Sequence, residues 1–136
     1  MRSIAIFFFF ALTPLVAEIP WWANISSCPL QLGMNENKRY MYVLNVGKEP
    51  TVQYSLGCVA PDARGYVTVG RVVKNRNVSL PENGFASDSV SVMEELQAAC
   101  GAPHWRLAVV KVVLADGSVW NIGSQGRLEE IPSKAK

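Results

Sequence analysis

Histidine is almost missing from this chain: His104 is the only one in 136 residues. A serine triad would have to recruit that one imidazole as its base, and no Gly-x-Ser-x-Gly elbow accompanies it. Cys28, Cys58 and Cys100 lie 30 and 42 residues apart and form no clustered zinc signature with it. Acids are few and dispersed. Glu94 and Glu95 are adjacent, so on a helix they point about 100° apart rather than into one cleft, as a solvated face does. Asp62, Asp88 and Asp116 sit in turn-like stretches, and no Asp-x-Asp cluster suggests calcium. A Gly-rich phosphate loop is also missing. The net charge of +2, from 13 basic and 11 acidic side chains, is too near neutral to imply nucleic acid as a partner. These gaps leave no catalytic, cofactor-binding or metal residue assigned, and they favour a non-enzymatic role.

Long apolar runs are scarce too. The longest opens the chain, where Met1-Arg2-Ser3 leads into Ile4 to Leu12, Thr13-Pro14 breaks the run, and Leu15-Val16-Ala17 precedes Glu18. A basic start, a short apolar stretch, a breaker and a small residue are the parts of a secretory signal. Spanning a bilayer takes about 20 apolar residues, more than Ile4 to Val16 supplies, and Pro14 would interrupt the helix. Residues 1–17 are therefore expected to be a cleaved signal peptide, with the product secreted or periplasmic and no transmembrane segment after cleavage. The remaining 119 residues carry 12 basic and 11 acidic side chains, and suit one domain with one core.

Export makes disulfides available to the three cysteines. All three pairings are open, and one cysteine stays unpaired within the chain. Cys58–Cys100 is the favoured pair, because both end apolar segments in the body of the domain. Cys28 is then a free thiol or half of an intermolecular bridge that would link a dimer. A nucleophilic Cys100 or Cys28 beside His104 is the catalytic alternative, but a structural cysteine at a turn is the simpler reading. Asn24-Ile25-Ser26 and Asn77-Val78-Ser79 match the glycosylation pattern, which matters only in a eukaryotic host.

Residues 18–37 read as an N-terminal arm whose Trp21-Trp22 cap the core or meet a ligand or membrane interface. Period-two alternation begins at Lys38. Tyr40, Tyr42, Leu44 and Val46 share one face, and Gly47-Lys48-Glu49-Pro50 is a turn. Val52, Tyr54, Leu56 and Cys58 follow on one face, opposite Thr51, Gln53 and Ser55. The two runs read as an antiparallel hairpin. Another strand is expected over Tyr66–Lys74, and Pro81–Gly84 is a turn. Ser87–Cys100 is either a short helix capped by Asp88 or Ser89, with Val92, Leu96 and Ala99 on one face, or an edge strand and loop. Arg106–Leu114 is apolar on both faces, as a central strand would be. Ala115-Asp116-Gly117-Ser118 turns it back into Val119–Ile122.

Short strands joined by turns predict an all-β antiparallel sandwich over 38–123, with one short helix and a polar tail at 124–136. On Asn45–Val52 and Ala115–Trp120 the chain resembles small uncharacterised exported bacterial proteins with an immunoglobulin-like or fibronectin-like sandwich. The resemblance covers roughly residues 38–122. It implies the fold and brings no active site or cofactor. No tryptophan lies between Cys58 and Cys100, which departs from the antibody-type pattern. The function expected is a non-catalytic binding or interaction module that meets another protein or an envelope component through an edge strand or end loops. The alternatives are a small thiol-dependent enzyme or hydrolase and a structural cell-envelope protein.

Overall fold

A computed structural model describes residues 21–61, 67–101 and 104–122. The expected signal peptide, the first residues of the arm and the polar tail at 124–136 lie outside these. The described residues form two antiparallel sheets and one helix, an all-β sandwich. In chain order the elements are β1 (Leu30–Met34), β2 (Tyr40–Asn45), β3 (Thr51–Pro61), β4 (Val67–Leu80), β5 (Phe85–Ser89), α1 (Val90–Ala98), β6 (Arg106–Leu114) and β7 (Val119–Asn121). One sheet has the order β1-β2-β5 and the other β4-β3-β6-β7. Across the core β1 packs near β6, and β5 lies beside β4.

The hairpin expected between β2 and β3 does not form. β2 pairs with β1 and β5, whereas β3 pairs with β4 and β6 in the other sheet. Asn45 supplies the physical reason. It is fully buried, and its amide donates to Glu49 O at 3.0 Å and Leu80 O at 2.9 Å while accepting from Gly47 N at 2.9 Å. Its backbone N–H donates to Gly84 O, and its carbonyl accepts from Asn83 N. Asn83 holds φ at 67° in that turn, the left-handed region asparagine tolerates. One buried side chain thus binds both crossings, β2 to β3 and β4 to β5, and satisfies polar groups that burial would otherwise orphan.

β1 falls within the stretch read as an arm. Its Leu-Gln-Leu-Gly-Met sequence alternates, with Leu30 and Leu32 buried on one face, but over only five residues, and pairing with β2 is what defines it. Gly33 stands opposite Tyr42, whose ring covers it so closely that a Cβ there would lie 2.3 Å from Tyr42 Cζ.

The alternation expected of β3 also breaks. Thr51 is fully buried and Val52 is 40% exposed, because the register shifts between Thr51 and Gln53 against both neighbours. A bulge of this kind moves the side chains before it to the opposite faces. Beyond it Tyr54, Ser55, Leu56, Gly57, Cys58 and Val59 are all buried, as befits a strand with neighbours on both edges. β6 is likewise interior, lying between β3 and β7, and buries Leu107, Ala108, Val109, Val110 and Val112. In the turn to β7, Asp116 Oδ1 accepts from Ser118 N at 2.9 Å and Ser118 Oγ at 2.6 Å, and Gly117 takes φ 91°. Those two bonds lower the Asp116 pKa.

Of the two readings for Ser87–Cys100, strand β5 ends at Ser89 and a helix follows. Ser89 is the cap, and its Oγ accepts from Val92 N. The buried face differs from the expected stripe: Met93 is buried and Val90 and Leu96 half-buried, whereas Val92 is 42% exposed and Ala99 exposed. Two anchors fix this rotation. Val90 N donates to Arg39 O, and Gln97 Nε2 donates to Trp105 O. Glu94 and Glu95 are solvated.

Candidate functional site

Cys58 and Cys100 form a disulfide with Cα atoms 5.8 Å apart, tying the end of α1 to β3. Cys100 therefore carries no free thiolate. His104, four residues on, is exposed and stacks on Trp105 with ring centroids 5.6 Å apart. Cys28 is a free, buried thiol, and burial pushes its pKa up to about 12 against the opposing pull of the Leu30 N–H. A nucleophile needs the opposite shift. Linking two chains would require Cys28 to leave the core, where it is 3% exposed. Among the described residues no group of three or more His, Cys, Asp or Glu is placed to hold a metal ion.

The two glycosylation patterns are placed differently. Asn24 is half-buried and its amide is engaged twice, accepting from Leu32 N at 2.7 Å and donating to Leu32 O at 3.0 Å. Asn77 is exposed on β4, and its Oδ1 accepts from Gln53 Nε2 at 3.2 Å.

The bonds of Asn24 belong to a seam along one side of the sandwich. Leu107 N donates to Trp21 O at 3.0 Å, and Ala23 N donates to Leu107 O at 2.9 Å, so Trp21–Ala23 extends the edge of β6 before β7 begins. The next residue, Asn24, pairs its side-chain amide with β1 as a strand backbone would. Ile25 is then buried, and Trp120 Nε1 reaches Ser27 Oγ. Trp21 and Trp22 are half-buried against the core. This segment crosses from one sheet to the other, bonded to β6 through its backbone and to β1 through the Asn24 side chain.

The opposite side, between β4 and β5, is built otherwise. Arg76 on β4 forms an ion pair with Asp88 on β5 and donates to the Tyr54 hydroxyl at 3.5 Å. Burial raises the Tyr54 pKa and Arg76 opposes it. For Arg76, burial works against the charge, but Tyr54 and Asp88 outweigh it. The paired Arg76 and Asp88 side chains remain 31% and 33% exposed. Among the described residues no strand pairs with the outer edge of β4, the longest strand at 14 residues. It carries Arg71, Lys74 and Arg76 and no acid. Lys74 stands opposite Leu56 and Arg76 opposite Tyr54, so the two cations share one face, and the ion pair to Asp88 on β5 turns Arg76 toward the other sheet. Arg71 donates to Ala99 O at 3.0 Å at the end of α1. Val72 is 51% exposed.

The sequence points to an edge strand without distinguishing which one. The signal for this one was 14 residues with three cations and no acid, but the polar stretch Asn75–Asn77 obscured its continuity. No protein-family model, curated protein or solved structure matches this chain.

Proposed function

We propose that this protein is an exported, non-catalytic binding module that meets a protein or envelope partner along the open side of its sandwich. The observation that carries the reading is the contrast between its sides: on one, Trp21–Asn24 bonds to both sheets, and on the other the outer edge of the 14-residue β4 has no strand partner among the described residues. Unpaired edges invite strand addition, and folds that gain nothing from them shorten or cover them.

Export rests on residues 1–17, and the Cys58–Cys100 disulfide is compatible with an oxidising compartment. An immunoglobulin-like or fibronectin-like reading of the sandwich draws support from its connectivity. Strands one, two and five share one sheet, while three, six and seven share the other. Those groupings match A, B, E and C, F, G of the immunoglobulin fold, with the fourth strand moved across. That fold hosts many binding functions and dictates none.

The test is capture of a partner by the chain as its host produces it, tagged at the C-terminus. The expected result is a partner retained by His104→Ala and lost on substitution of the β4 edge or the end loops. N-terminal sequencing of the product should begin at Glu18. Failure to recover any partner under several conditions, or capture that His104→Ala abolishes, overturns the reading.

A further inference from the structure

We infer that the β4 edge takes an extended acidic peptide segment, which adds as a strand and places its carboxylates against Lys74 and Arg71. This deepens the proposed binding function and rests on it. β4 offers outward backbone N–H and C=O groups along about 45 Å at the usual rise per residue. Main-chain bonds give such a complex its affinity, and the flanking side chains give it selectivity.

The charge on the edge decides which chain fits. Arg76 is neutralised by Asp88, whereas among the described residues Lys74 is exposed with no ion-pair partner and Arg71 donates to the uncharged Ala99 carbonyl. The remaining charge is positive. A second copy of this chain fits poorly. Antiparallel self-pairing in registers centred on this stretch sets Arg71 opposite Arg76, Arg71 opposite Lys74, or Lys74 opposite itself. Like charges directly opposite one another destabilise a strand pair. An acidic strand converts the same repulsion into cross-strand attraction. Lys74 and Arg76 share one face by the two-residue period of the strand, and the register shift between Leu56 and Gly57 falls between Lys74 and Val72, on the side toward Arg71.

The probe is a peptide of about eight residues alternating glutamate and valine, near the usual strand length. Two controls accompany it: the same peptide with lysine for glutamate, and the glutamate peptide N-methylated at alternate residues. Binding is read by fluorescence anisotropy, and its place by amide shifts along Val69–Ser79. The glutamate peptide is expected to bind and shift those amides. The lysine and N-methylated peptides should each bind at least about tenfold more weakly. Lys74→Glu combined with Arg71→Glu should weaken the glutamate peptide about tenfold. Lys74→Glu alone, an exposed change, should weaken it in the same direction.

Equal binding of the N-methylated peptide would mean charge adhesion without strand addition and would overturn the inference. So would shifts confined to other strands, or no binding by any peptide, which would leave a cationic edge that serves only to prevent self-association. If the intact protein captures a partner that ignores the Lys74 and Arg71 reversals, this inference fails while the binding-module reading stands. If it captures nothing, the broader reading fails.

Discussion

The two sides of the sandwich are closed by different chemistry. On one, Trp21–Ala23 pairs with Leu107 of β6 and Asn24 pairs with Leu32 of β1, so one short segment stitches both sheets with backbone-type bonds. On the other, a part-exposed Arg76–Asp88 ion pair spans the sheets, and the outer edge of β4 has no strand partner among the described residues. Backbone bonds shielded by a buried Ile25 are costly to break, whereas an ion pair this exposed contributes little. The difference separates a side tied to both sheets by hydrogen bonds from the side that the proposed binding function would use.

The largest expected effect comes from the tie behind the open side. Replacing both Cys58 and Cys100 with alanine should lower the unfolding free energy by about 4 kcal/mol by the chain-entropy account, measured by urea denaturation. It should also loosen the end of α1, where the Ala99 carbonyl accepts from Arg71. Next comes the crossing shared by both sheets. Asn45→Ala orphans the Leu80 and Glu49 carbonyls and the Gly47 N–H, and should cost about 3 kcal/mol.

The comparison itself is sharpened by one substitution on each side. Asn24→Ala leaves both backbone groups of Leu32 unpaired on the sealed side and should cost about 1–2 kcal/mol. Lys74→Glu on the open side should change stability by less than about 0.5 kcal/mol. Equal costs would break the comparison.

A pH effect of the same order as the Asn24 loss belongs to the sealed side, where Cys28 sits. Its folded pKa of about 12 exceeds the ordinary 9.0, so the folded state keeps a proton that the unfolded state gives up. The stabilisation is fully present below pH 9 and is lost as the pH rises towards 12, by about 1.4 kcal/mol per pH unit. Cys28→Ala should flatten that loss in denaturation curves at pH 8 and 10. In native protein at neutral pH the thiol should resist alkylation.

Much of the strand content was legible from sequence, because the two-faced apolar run at Arg106–Leu114 reflects burial directly; in β2 the face shared by Tyr40, Tyr42 and Leu44 is the more exposed one, and Met41, Val43 and Asn45 are buried. The Asp116-Gly117 turn and the Cys58–Cys100 bond were legible for similar local reasons. Sheet membership was not. A Gly-Lys-Glu-Pro turn looks the same whether it returns a strand to its neighbour or carries it to the other sheet, and the deciding bond joins Asn45 to Leu80, 35 residues away. β1 and the seam before it were hidden because Asn24 acts through a side chain that copies backbone pairing. The candidate interface was legible only as charge: three cations without an acid in Val67–Leu80 were visible, but their place on an open edge was not.

The most direct measurement is amide hydrogen exchange, residue by residue, in the free protein. Leu32, Leu107 and Ala23, whose N–H groups are bound within the sealed seam, should exchange slowly. The amides of β4 that face away from β3 should exchange orders of magnitude faster. Protection of those β4 amides equal to that of Leu32 and Leu107 would show the edge already covered and would contradict the account.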